Sequence, residues 1–271
     1  MTITRRGVLG GLAGLAASST LPAAAKDFWG QRLANAPREF LFGYGSLISG
    51  PSRTATSGRP VPAIAARISG SFGYVRSWAS RFTPREGTAG FTALGIRPRM
   101  PGEEPGSING VIFPVKDEAE LAAFDAREGG YDRVELDQAH VEAIDWEGLP
   151  RVGKIWVYVP KESAGKGPAD LQQPDVNFPL LQSYIDVVMQ GSLDEGPDFA
   201  RELIETTLDW SPFWLDDRPI ARRAWADTPR SGAIDRLLAT VEPAASQFRN
   251  RLYPELYAVR HLMGKAPAAP R

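Results

Sequence analysis

The 271 residues carry 31 basic and 32 acidic side chains, a formal charge of −1, so the chain lacks the basic excess that a nucleic-acid partner demands. An apolar fraction of 43% and a charged fraction of 23% describe a globular chain, long enough for one large domain or two small ones. Cysteine is absent, which removes disulfides, thiolate nucleophiles, iron–sulfur clusters and Cys-ligated zinc. Only His140 and His261 are present, too few for a multi-histidine metal site. Carboxylates, tyrosines, arginines and backbone dipoles must carry any chemistry, with no metal and no cofactor expected.

Arg5-Arg6 opens a stretch that is uncharged from Gly7 to Ala25 but consists mostly of Gly and Ala. It is too weakly apolar for a spanning helix of about 20 residues. A basic pair, a modest apolar run and Ala23-Ala24-Ala25 are the order of a cleavable export signal. Thr4–Leu9 resembles the twin-arginine type, with Val8 where Phe is usual and no Lys after Leu9. Residues 1–25 are therefore expected to be a leader, and the mature chain periplasmic or secreted without a stable membrane anchor.

Phe40–Leu47 reads as a buried strand entering a glycine-rich turn. Ile64–Trp78 and Thr92–Arg97 read as strands broken by Gly, and Ile108–Val115 and Lys154–Val159 as two more. Between these last two, Asp117–Arg127 is a helix with Gly129-Gly130 as its stop signal. From Lys161 to Asp175 the chain is a polar linker. Leu180–Met189 and Phe199–Leu208 then read as helices, and Ser231–Leu262 as a longer helix interrupted at Pro243. Strands with one internal helix followed by helices give an α+β fold.

Two features can carry chemistry. In the turn Gly43-Tyr44-Gly45-Ser46-Leu47, glycines let backbone N–H groups converge on a carboxylate or a developing oxyanion; a turn serving only the sheet reads the same way. The spacing of Leu121, Phe124 and Glu128 places the Glu128 carboxylate on the apolar stripe of its helix and at the C-terminal end. Both effects raise its pKa and suit a proton shuttle. A partly exposed Glu128 paired with Arg127 or Arg133 fits the spacing equally well.

Together these features resemble the γ-glutamylcyclotransferase-like family. The motifs are Phe42-Gly-Tyr-Gly-Ser-Leu-Ile48, Arg67–Arg76, Asn109-Gly110-Val111, Phe124–Arg133 and Trp156-Val-Tyr-Val159, spread over residues 38–160. Leu180–Val188 and Trp214–Arg218 are similar to the helical extension of longer members, here residues 174–262. The resemblance implies a mixed, partly barrel-like sheet with one catalytic helix. It implies Glu128 as general base and then acid, with Tyr44, Gly45, Ser46 and Leu47 as the substrate loop. Tyr158, Tyr131 and Arg76 would line the pocket. The implied reaction closes a small γ-glutamyl substrate into 5-oxoproline and expels the attached amine or peptide.

Two other readings remain open on residues alone. One is a catalytically silent binding module for an amino-acid-like ligand. The other is a carboxylate-pair glycoside hydrolase using Glu128 with Asp125 or Glu86. His140 reads as a surface residue and His261 as a helix-end one. Trp210, Trp214 and Trp225 read as core packing beside Asp216-Asp217-Arg218, or as a site in which Arg218 grips a substrate carboxylate.

Overall fold

Phe40, Leu41 and Phe42 are all buried, so the first strand, β1 (Glu39–Gly43), is covered on both faces and reads as an unbroken apolar run. The computed structural model describes residues 37–82, 90–144, 148–150, 152–161, 172–221 and 228–263. In it β1 lies inside a six-stranded mixed sheet, between antiparallel β5 (Ile108–Val115) and parallel β8 (Lys154–Pro160). β2 (Ile64–Ile68) and β7 (Val141–Ala143) extend the sheet past β5, and β6 (Tyr131–Leu136) extends it past β8. A second sheet joins β3 (Tyr74–Phe82), β4 (Phe91–Pro98) and β10 (Thr207–Leu208). A two-stranded sheet pairs β9 (Leu180–Leu181) with β11 (Trp214–Leu215). The α+β class is as expected, but the six-stranded sheet is open, with β6 and β7 at its edges, and does not close into a barrel.

Among the helices, α1 (Gly50–Ser57) was not read from the sequence. Ser49 caps it, Pro51 sits in its first turn and Gly58 ends it in the left-handed region. Next, α2 (Glu118–Arg127) has Asp117 as N-cap, accepting from the Glu120 N–H at 2.9 Å. The C-terminal part holds α3 (Gln182–Glu195), α4 (Pro197–Glu205), α5 (Ser231–Thr240), α6 (Ala244–Phe248) and α7 (Pro254–Tyr257). The helix expected over Ser231–Leu262 with an interruption at Pro243 is interrupted there and, beyond that expectation, again around Leu252, which bridges to Leu215.

One apolar cluster unites Leu41, Val111 and Phe113 of the sheet with Val188, Leu203, Trp214 and Leu238 of the C-terminal part. The C-terminal part is therefore built into the same core as the strands. Trp210 stacks on Trp214 at 5.4 Å and meets Trp78 edge-on, so these rings are packing. Trp225, like the proposed leader and Glu86, lies outside the described residues. Arg218 is a bidentate partner of buried Asp186, at 2.7 Å through Nε and Nη2, and also pairs with Asp235. It ties α3 to α5 and is not among the residues that line the cavities beside Glu128.

α3 approaches the turn after β1 so closely that a Cβ on Gly191 would lie 2.6 Å from the Ser49 nitrogen. Two effects oppose each other in Gly191→Ala. Helix propensity favours alanine by about 1 kcal/mol. Overpacking against backbone costs about 1–3 kcal/mol and wins. The expected outcome is a lower melting temperature for Gly191→Ala; a raised one would mean that α3 does not bear on the turn.

Candidate active site

The turn after β1 exists because residue 43 has no side chain. A Cβ there would fall 2.7 Å from the Leu47 Cβ, so Gly43 lets the chain fold back into a one-turn 3-10 helix at Ser46–Ile48. Arginines fix this turn. Arg53 donates to the carbonyls of Leu47 at 2.9 Å and Ile48 at 2.7 Å. Arg127 donates to the Ser46 hydroxyl at 2.9 Å, and to Ser52 and Thr56 of α1.

Arg76 lies fully buried beneath the same turn. It donates to Asn109 O at 2.7 Å and Oδ1 at 2.8 Å, to Thr206 and Thr207, and at a longer 3.5 Å to Tyr44 O. Burial lowers its pKa to about 9 and that of Arg53 to about 10, so both stay cationic at neutral pH. Arg76 does not line the cavity, contrary to the expectation from the motif. A strand arginine with five polar partners is a structural tie.

Glu128 is the C-cap of α2, with φ −91° and ψ 32°, in the sparsely populated bridge region where active-site residues recur. The helix ends here through Glu128 itself, whose N–H bonds Phe124 O at 2.9 Å; Gly129 and Gly130 have no positive φ. Phe124 is buried and Leu121 packs against the core, so the carboxylate does continue the apolar stripe. Burial raises the Glu128 pKa above the usual carboxylate range, while Arg127, with Nε 3.0 Å from Oε1, opposes the rise. Both sequence readings are present at once: Glu128 faces a cavity and is paired with Arg127. Arg133 pairs instead with Asp125 at 3.1 Å.

Tyrosines ring the carboxylate. Tyr158 donates to Asp125 Oδ1 at 2.8 Å, Tyr44 to the Tyr158 carbonyl at 2.7 Å and Tyr131 to the Leu94 carbonyl at 3.1 Å. Burial, with the Glu128 charge adding to it, holds all three phenols above their ordinary pKa. They are neutral at physiological pH and act as apolar walls with polar tips. A fourth, Tyr184 of α3, was not singled out from the sequence. Its spacing from Val187 and Val188 marked a buried helix face, and only the fold turns that face towards Glu128.

A narrow cleft of about 30 Å³ runs between Gly43–Leu47, Leu94, Glu128 and the four tyrosines, Tyr44, Tyr131, Tyr158 and Tyr184. It shares Ser46, Glu128, Tyr131 and Tyr184 with an adjoining cavity of about 590 Å³. Glu128, Tyr44, Gly45, Ser46, Leu47, Tyr131 and Tyr158 thus come together as expected. Asp125 lines neither space, its Oδ1 being taken by Tyr158 and Arg133, so it is not the second carboxylate of a hydrolase pair. His140 lies at the surface against Ser71, and His261 among Phe213 and Tyr257. Among the described residues, no group of three His, Asp or Glu stands where it could hold a metal ion.

No protein-family model matches the sequence, and no curated protein matches it significantly. Solved structures are similar in fold. A γ-glutamyl cyclotransferase shares 14% identity over 60% of this chain and 85% of its own, with a TM-score of 0.42. An uncharacterised human protein shares 15% identity over 64% and 90%, again at 0.42. A yeast γ-glutamyl cyclotransferase specific to glutathione shares 15% over 78% and 94%, at 0.38. At these values the chemistry rests on the residues of this chain.

The raised pKa of Glu128 has a measurable sign. A carboxyl whose folded pKa exceeds its unfolded value adds stability below the unfolded pKa, near 4.5, and loses it as pH rises through the folded one. Glu128→Gln carries no such dependence. The variant should therefore gain in melting temperature relative to the natural protein between pH 4 and pH 7. A change in the opposite direction would place Glu128 in an ordinary ion pair.

Proposed function

We propose that the chain is a cofactor-independent γ-glutamylcyclotransferase-like enzyme that converts a γ-glutamyl amine or peptide to 5-oxoproline and the free amine. The observation that supports it most is Glu128: a partly buried carboxyl at a helix end, facing a cleft bounded by the Gly43–Leu47 turn and neutral tyrosines. That arrangement supplies a proton carrier and a set of dipoles, and cyclisation needs nothing else. The substrate brings its own nucleophile, the α-amine.

In this reading the neutral α-amine attacks the γ-carbonyl carbon, and Glu128 takes the proton that its nitrogen sheds as the ring C–N bond forms, through Oε2, while Arg127 holds Oε1. The product of that step is a tetrahedral oxyanion. N–H groups of the glycine-rich turn stabilise that oxyanion. Glu128 returns the proton to the departing nitrogen as the original amide C–N bond breaks. No water is consumed and Glu128 ends as it began. The raised pKa suits both halves of the cycle, since one group must accept and donate near neutral pH. The cleft admits only the reacting end of the substrate, so proximity of amine and carbonyl is part of the rate. The leader read at residues 1–25 would put this reaction outside the cytoplasm.

Glu128→Gln is expected to lose about 10²–10⁴-fold in 5-oxoproline formation while keeping substrate binding, because the turn is untouched. N-acetylated γ-glutamyl substrates should be inert whatever their affinity, having no free amine. Their turnover at the rate of the free amine would replace cyclisation by plain hydrolysis. A natural protein that binds γ-glutamyl compounds but turns none over would be the silent module. For the leader, N-terminal sequencing of the native protein should start close to Lys26, and an intact Met1 or Thr2 would overturn export.

A further inference from the structure

We propose that the 590 Å³ cavity beside Glu128 is a leaving-group pocket selecting γ-glutamyl amides of apolar amines over those of α-amino acids. The inference rests on the cyclisation reading above and deepens it to a substrate class. Position is the first argument. The cavity and the narrow cleft have Ser46, Glu128, Tyr131 and Tyr184 in common, so a γ-carbonyl held in the cleft directs its amide nitrogen, and what is attached to it, into the larger space.

The second argument is the wall. Ala79, Phe82, Phe91, Ala93, Pro160 and Val187 give it a largely apolar surface. The register shift in β3 between Trp78 and Ser80 lets consecutive residues, from Ala79 to Phe82, contribute to one side. A volume of this size takes a group well beyond a methyl or a glycine.

The third argument is charge. An amino-acid leaving group carries a carboxylate into this space, where Glu128 already sits. The charges of the two arginines on the wall are already met by carboxylates: Arg127 by Glu128, with Ser46, Ser52 and Thr56 also accepting from it, and Arg81 by Asp175, although Arg81 Nε makes no hydrogen bond. Arg81 also lies over the Phe178 ring at 4.7 Å. A carboxylate entering among alanines and phenylalanines would have to share cations that Glu128 and Asp175 already neutralise, which is unfavourable, whereas each methylene placed there is favourable.

The test is a series of γ-glutamyl amides assayed for 5-oxoproline: methyl, propyl, pentyl and benzyl, with γ-glutamylalanine against the sec-butylamide of similar shape. The expected result is a kcat/KM that rises roughly threefold per added methylene. The sec-butylamide should exceed γ-glutamylalanine by at least about tenfold. Ala55 is exposed on α1 and borders the cavity, so Ala55→Asp should fold and should flatten the methyl-to-pentyl series. A flat series in the natural protein, or γ-glutamylalanine equal to its neutral counterpart, overturns the pocket assignment and leaves cyclisation standing. No turnover of any member by folded protein overturns the cyclisation reading itself, and this inference with it.

Discussion

Three arginines, two of them buried, hold the turn on which the site depends. A chain reversal within five residues of a central strand leaves carbonyls pointing into protein, where they must be satisfied. Arg53 donates to the Leu47 and Ile48 carbonyls, Arg76 reaches the Tyr44 carbonyl from beneath, and Arg127 holds the Ser46 hydroxyl, each through a charge-assisted hydrogen bond. Arg76 does this with no carboxylate among its direct partners, so its charge is balanced by oriented dipoles, with Glu202 acting from further away. The arrangement is rigid because any movement of the turn would strand a cation or a carbonyl in an apolar surrounding.

The same ties make the C-terminal helices part of the site. Arg76 reaches Leu203 O, Thr206 and Thr207 at the end of α4, so the strand that carries it is joined to the helices behind it. α3 meets the turn at Gly191 and sends Tyr184 into the cleft about two turns earlier along the same helix. Its own N-terminus is capped from across the fold, Asp217 accepting from the Ser183 N–H and hydroxyl. A segment that reads as an appendage in the sequence therefore closes one wall of the cleft.

What the sequence disclosed follows a physical line. Elements buried on both faces, such as β1 and β5, announce themselves as apolar runs, and α2 carries its cap and its stripe in plain view. The missed elements are those whose stability comes from elsewhere. β6 buries only Leu136 of its six residues and is held by pairing with β8, while β7 is three residues at an edge. α1 had legible signals in Ser49, Pro51 and Gly58, but its eight residues bury little beyond Ser52 and Arg53. Of the site, Glu128 and the Gly43–Leu47 turn were readable because glycines and a carboxylate on an apolar stripe are locally anomalous. Arg76, Arg218 and Tyr184 were not, because a buried arginine or tyrosine looks the same in sequence whether it binds a ligand or a neighbouring element.

Arg127 joins these levels in a single side chain. Its Nη atoms hold Ser46 of the turn and Ser52 and Thr56 of α1, and its Nε holds Glu128 Oε1. Desolvation favours the neutral carboxyl and Arg127 favours the carboxylate, so two opposing effects meet at one group. With one arginine opposing burial, the pKa of Glu128 is raised but moderated. Because that arginine also anchors the turn, the position of the dipoles that would meet an oxyanion and the basicity of the group that would create it are set together. A shift of the turn would move Arg127, and with it the proton affinity of Glu128, so geometry and acidity cannot drift apart.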